Sequence, residues 1–206
     1  VALVALGVGQ SKIQEPSVAA SNGVMAPHFL VDPYWPKPLP NNWAMGNTIG
    51  VDVDERDHVF IVHRNDASQF GGNTEIGLQG GVAECCTPAP PIIEFDAEGN
   101  VVNAWGGPVE GAPYVWPASN HGIEVAPNGD VWIGGNGGGD SHVLVFSRDG
   151  EYIRTIGMQG EGRDSNSKTH FARVAEIAID VEANEAYFAD GYQNRRVAVV
   201  DVATGA

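Results

Sequence analysis

The sequence predicts an all-β fold, a β-propeller of four-stranded blades present as an incomplete ring of about three to four blades. Three observations carry that expectation. The composition is turn-rich, with 27 Gly and 13 Pro among 206 residues and only 18% of them charged, which suits short strands joined by tight loops. A module of alternating apolar strand, polar turn and second apolar strand recurs three times. Each copy leads to a further hairpin signal, so the repeating unit holds four strands.

The elements follow in order. Val1-Ala-Leu-Val-Ala-Leu6 with Gly-Val-Gly-Gln10 resembles the end of a signal-peptide apolar region and its small-residue cleavage zone. Residues 1–27 are read as that remnant and a mobile lead-in, and 28–206 as the partial propeller. The first module runs Ile49 to Ile61, the second His121 to Ile133 and the third Glu176 to Phe188. Pro127-Asn-Gly-Asp130 is the clearest turn among them. The further hairpins are Ile92 to Val102 and Val143 to Ile153, and a third begins at Val197. Ile123 and Ile177 correspond at a separation of 54 residues, the length of a blade. A stretch from about Asn65 to Pro91, rich in Gly and Pro, reads as an insertion on one face.

Charge narrows the partners. With 11 Lys+Arg against 26 Asp+Glu the formal net charge is -15, so a polyanion such as nucleic acid is not an expected ligand. The apolar run at the start is too short to span a bilayer, and no transmembrane span is expected. A secreted or periplasmic location follows from the signal remnant. Cys85 and Cys86 are adjacent, which leaves a vicinal disulfide, a metal-binding pair or two thiols. Gly134-Gly-Asn-Gly-Gly-Gly139 lacks the Lys-Ser/Thr of a phosphate loop and reads as a segment of unusual backbone angles.

Four polar side chains fall at strand ends that converge in a propeller. His63-Arg64 closes the second strand of the first module, and His121 opens the next. His170 precedes the third module, and Tyr192 follows its second strand. Two imidazoles can hold a metal, with Arg64 and Tyr192 handling charge and protons.

Asp190-Gly-Tyr-Gln-Asn-Arg-Arg-Val197, with His63-Arg64 and His121-Gly122, resembles the peptidyl-α-hydroxyglycine α-amidating lyases, a family of six-bladed NHL-repeat propellers. The resemblance covers most of residues 43–206. It implies zinc on His121 and His170, calcium on the backbone carbonyls of Val51 and Ile123, and catalytic roles for Arg64 and Tyr192. It also implies a small peptide-like substrate, cleaved to a peptide amide and glyoxylate. In the family a third zinc histidine comes from a later blade, and a disulfide cysteine stands where this chain has Gln193. The other readings are a non-catalytic binding or scaffold propeller with a protein partner and, more remotely, a quinoprotein dehydrogenase. Self-association through an open blade edge is expected of an incomplete ring.

Overall fold

The computed structural model describes residues 27–65 and 85–206. The signal remnant, nearly all of the lead-in and most of the insertion lie outside the described residues. The chain divides into two compact units at Trp35/Pro36. In the described part of the first, the Asp32 carboxylate accepts the Tyr34 N–H at 2.8 Å.

Among its described residues the second unit is all-β. A two-residue parallel bridge joins β1 (Trp43–Ala44) to β4 (Thr87–Pro88), an element the repeat did not foretell. The first sheet is β2 (Asn47–Val53), β3 (Val59–Arg64), β5 (Ile92–Phe95) and β6 (Val101–Trp105), in that order and antiparallel. The second repeats the order with β7 (Asn120–Val125), β8 (Val131–Gly135), β9 (His142–Phe146) and β10 (Tyr152–Gly157). The third holds β11 (Ile177–Asp180), β12 (Glu185–Asp190) and β13 (Arg196–Asp201). No helix of the described residues is long and apolar enough to cross a membrane.

One turn closes four of the hairpins. In Asp54–His58, Asp96–Asn100, Ala126–Asp130 and Ser147–Glu151, the first N–H bonds to the fifth carbonyl and the fourth N–H to the first carbonyl. The fourth residue is left-handed each time, as Asp57, Gly99, Gly129 and Gly150. That is the three-residue hairpin loop with a bulge, which favours Gly at its fourth place.

Two apolar clusters fill the gaps between sheets. Phe60, Val62, Ile92, Ile123, Val131, Ile133, Leu144 and Phe146 pack between the first and second. Trp132, Val143, Val145, Phe171, Val174, Ile177 and Phe188 pack between the second and third. Both faces of the middle sheet are therefore covered, which explains the unbroken apolar run Val143-Leu-Val-Phe146.

The first strands of successive sheets meet through a repeated contact. A β-carbon on Gly50 would lie 2.7 Å from the His121 carbonyl oxygen, and one on Gly122 would lie 3.0 Å from that of Ala175. The paired turn residues Asp54/His58 and Ala126/Asp130 set the alternation of the ladders. By that alternation Val51, Val53, Ile123 and Val125 turn their backbone groups to the open edge. Carboxylates collect the N–H groups there. Asp52 accepts from Val53 at 2.8 Å and from Val125 of the next sheet at 2.6 Å. Glu124 accepts from Ile179 of the sheet after at 3.2 Å. Burial, with the charges of Asp52 and Glu176, pushes the Glu124 carboxyl up to about 7.

At the turn end, Arg148 ties the first two sheets. Its guanidinium bonds Asp54 at 2.5 Å and also Glu94, and lies 4.8 Å from the centre of the Phe60 ring. Its backbone carbonyl accepts the Trp105 indole N–H at 2.9 Å.

Candidate functional site

The site residues lie at the end of the sheets away from the hairpin turns. Arg64 is the last residue of β3 and pairs with Asn47, the first residue of β2. His121 is the second residue of β7, beside a register shift between Asn120 and Ile123 that frees it from the regular ladder. Tyr192 stands two residues beyond β12.

Two of the four expected side chains meet directly, and Arg64 is bonded to the residue before one of them. His121 Nδ1 lies 2.9 Å from the Ala175 carbonyl. A carbonyl only accepts, so Nδ1 carries the proton and Nε2 presents a lone pair. The Tyr192 hydroxyl lies 2.8 Å from that Nε2 and therefore donates to it. Their rings meet edge to face at 5.4 Å. Tyr192 is 52% exposed and His121 half-buried, so solvent reaches the pair from the tyrosine side. Arg64 is buried; its Nη2 donates to Asn136 Oδ1 at 3.1 Å and its Nε to the Asn120 carbonyl at 3.4 Å. Burial lowers the Arg64 pKa from its ordinary value.

His170 has partners of its own. Its Nδ1 pairs with the Thr169 hydroxyl at 2.9 Å, and Nε2 faces Gly160, where a β-carbon would lie 3.9 Å away. Among the described residues no group of three or more His, Cys, Asp and Glu side chains is gathered for a metal ion. Val51 and Ile123 sit on adjacent first strands, their carbonyls turned to the open edge.

Residues to which the sequence assigned no role do much of the positioning. His63 Nδ1 accepts the Gly46 N–H at 3.1 Å, Asp140 accepts Ala118 N–H at 2.8 Å, and Asp190 accepts Ala172 N–H at 2.6 Å. Gly46, Ala118 and Ala172 are successive repeat equivalents, so one bond recurs with three different acceptors. Burial pushes the His63 pKa down, and its Nε2–H is held by the Pro90 carbonyl at 2.9 Å. Asp190 also takes the Asn194 amide at 2.9 Å and the Arg196 guanidinium at 2.8 Å, while Arg196 reaches the His170 carbonyl at 2.7 Å. Much of the Asp190–Val197 motif thus anchors the loop before β11 and holds Tyr192 outward.

The glycine run serves close packing rather than backbone angle. Of its glycines only Gly139 has positive φ. A β-carbon on Gly135 would sit 2.5 Å from the Asp140 carboxylate, and one on Gly137 would sit 2.8 Å from Ala118. Cys85 and Cys86 form a vicinal disulfide. A cleft of about 580 Å³ opens at the turn end, lined by Val53–Arg56, Val125–Asp130 and Ser147–Asp149. It contains none of the expected site residues. No protein-family model matches the chain, and no curated protein matches it.

Proposed function

We propose that residues 36–206 are blades of a secreted or periplasmic NHL-type β-propeller, and that Arg64, His121 and Tyr192 form an acid–base site that cleaves a peptidyl-α-hydroxyglycine. The observation that carries this reading is the hydrogen bond from the Tyr192 hydroxyl to His121 Nε2, with Arg64 bonded to the carbonyl of Asn120, the residue before His121. Tyr192 passes its proton to His121, and the resulting phenolate takes the proton of the substrate hydroxyl. The oxygen's electron pair closes the aldehyde C=O of glyoxylate, the C–N bond breaks, and the departing amide nitrogen takes the proton that His121 received. Arg64 steadies the transient phenolate. No external oxidant or reductant is needed. The vicinal disulfide supports an oxidising compartment.

The residues present do not fit a zinc centre of three protein ligands. Among the described residues, His121 Nε2 is held by the Tyr192 hydroxyl and His170 Nδ1 by the Thr169 hydroxyl, and no set of three is gathered. Zinc therefore stands as a proposal that needs ligands outside the described residues, and no step above runs through it. Calcium between the Val51 and Ile123 carbonyls stands likewise. Self-association through the edge of β13, where Val197 and Val199 are exposed, belongs to the same proposal.

With His170 Nδ1 paired to the Thr169 hydroxyl, a second reading stands beside the first, a propeller that binds a protein partner without chemistry. Glyoxylate release from a synthetic peptidyl-α-hydroxyglycine separates the two. Turnover lost in Tyr192→Phe supports the lyase, while a folded protein without turnover leaves the binding module.

A further inference from the structure

We infer that Asn120 is the positioning residue of the site, fixing Arg64 relative to His121. It is fully buried, and it is the residue directly before His121. Its amide Nδ2 donates to the His63 carbonyl at 2.8 Å, its Oδ1 accepts the Trp116 indole N–H at 2.8 Å, and its backbone carbonyl accepts Arg64 Nε at 3.4 Å. One residue thus spans the gap between β3 and β7 at the point where each strand delivers a site residue. A flexible join there would let Arg64 and Tyr192 drift apart, because Tyr192 is registered on His121 and Arg64 belongs to another sheet.

The repeat shows that this is no general device for stacking sheets. Asn120 pairs across its ladder with Gly135, and its counterpart Thr48 pairs with His63. The third counterpart, one repeat further, is Val174, which sits in the core cluster between the second and third sheets. Thr48 is exposed and Val174 has no polar side-chain atom. The stacking contact of Gly50 on His121 recurs as Gly122 on Ala175, where Val174 stands in the place of the asparagine. The bridging amide is found where a sheet faces His63-Arg64.

The inference rests on the acid–base reading for its catalytic consequence and on geometry alone for the join. The test pairs Asn120→Ala, which removes both side-chain bonds, with Trp116→Phe, which removes only the indole bond. Glyoxylate release should fall in kcat on the order of 100-fold in Asn120→Ala with KM little changed, while Trp116→Phe keeps the parent kcat. In protein labelled with 15N-arginine, the Arg64 Nε–H signal should resist exchange in the parent and in Trp116→Phe, and lose that protection in Asn120→Ala. Should Asn120→Ala fail to fold, Asn120→Thr, the residue at the first-sheet counterpart, is read in the same way. Parent-like kcat and protection in Asn120→Ala overturns the inference. Equal losses in both variants, matched to their loss of thermal stability, reduce Asn120 to a structural residue. A parent protein that releases no glyoxylate sinks the lyase reading, and the Arg64 signal still decides the join.

Discussion

Asp52 reaches across the gap between two sheets and accepts the backbone N–H of Val125 at 2.6 Å. Its other oxygen holds Val53 on its own strand. First strands have an unpaired edge, and this carboxylate satisfies one such edge on each side. Asp52→Ala should therefore lower unfolding free energy by about 1–3 kcal/mol, read by urea denaturation. Asp52→Asn, which keeps one acceptor oxygen, should lose less. Equal stability of all three proteins would show that water serves those N–H groups as well.

Arg148 sits against a buried carboxylate, and its removal should hurt more. Burial already pushes the Glu94 pKa up, against the lowering effect of His58 and Arg56. Arg148→Ala leaves Glu94 with only those partial partners, and a loss of roughly 3–5 kcal/mol is expected. Pairing it with Glu94→Gln in a double-mutant cycle should recover part of that loss, and strict additivity would deny the coupling.

His63 sets an acid limit on stability. It is buried and neutral, with Nδ1 accepting from Gly46, and its folded pKa lies below the ordinary value of 6.5. The unfolded chain then takes up a proton first as pH falls. Its contribution is complete above about 6.5 and is lost on the way down to the folded pKa. Between pH 8 and 5 His63 should pull the thermal midpoint down, against the opposite pull of Glu124, and comparison with a His63 variant isolates its share. His63→Asn, which keeps an acceptor near Nδ1, should flatten that dependence, and an unchanged slope would place its source elsewhere.

Glu124 acts at the other limit. Its carboxyl, raised to about 7 by burial and by Asp52 and Glu176, binds a proton more tightly folded than unfolded. That stability is present below the ordinary value of 4.5 and disappears as pH rises through 7. Glu124→Gln should be more stable relative to the parent at pH 8 than at pH 5. The opposite ordering would mean that the acidic neighbours do not govern this group.

Two glycines separate strain from crowding. Gly129 has φ 91 with nothing within 4 Å of a would-be β-carbon, so Gly129→Ala should cost only about 1–2 kcal/mol for the left-handed backbone. At Gly50 the β-carbon would meet the His121 carbonyl and Val62 at 2.7 and 2.8 Å. Gly50→Ala should therefore be the more damaging, and it should also disturb His121. Parent-like exchange at His121 in Gly50→Ala would argue against that packing.

The strands were legible because each obeys a local rule. Alternating or continuous apolar runs bounded by Asp, Asn and Gly turns marked β2/β3, β5/β6, β7/β8, β9/β10 and β11/β12, and the order within each sheet followed from hairpins too short to cross. Arg64, His121 and Tyr192 were legible as strand-end polar residues, but their company was not. Hydrogen bonds such as Tyr192 to His121, 71 positions apart in sequence, join groups with no local signature. The same holds for the roles of Asn120 and His63, which depend on what a neighbouring sheet presents. Chain chemistry by itself determined which residues form strands and turns, since propensity and period act over a few residues. Only the stacking of one sheet on the next decided that His121 meets Tyr192, because side-chain direction across a sheet gap is set by packing between segments distant in the chain.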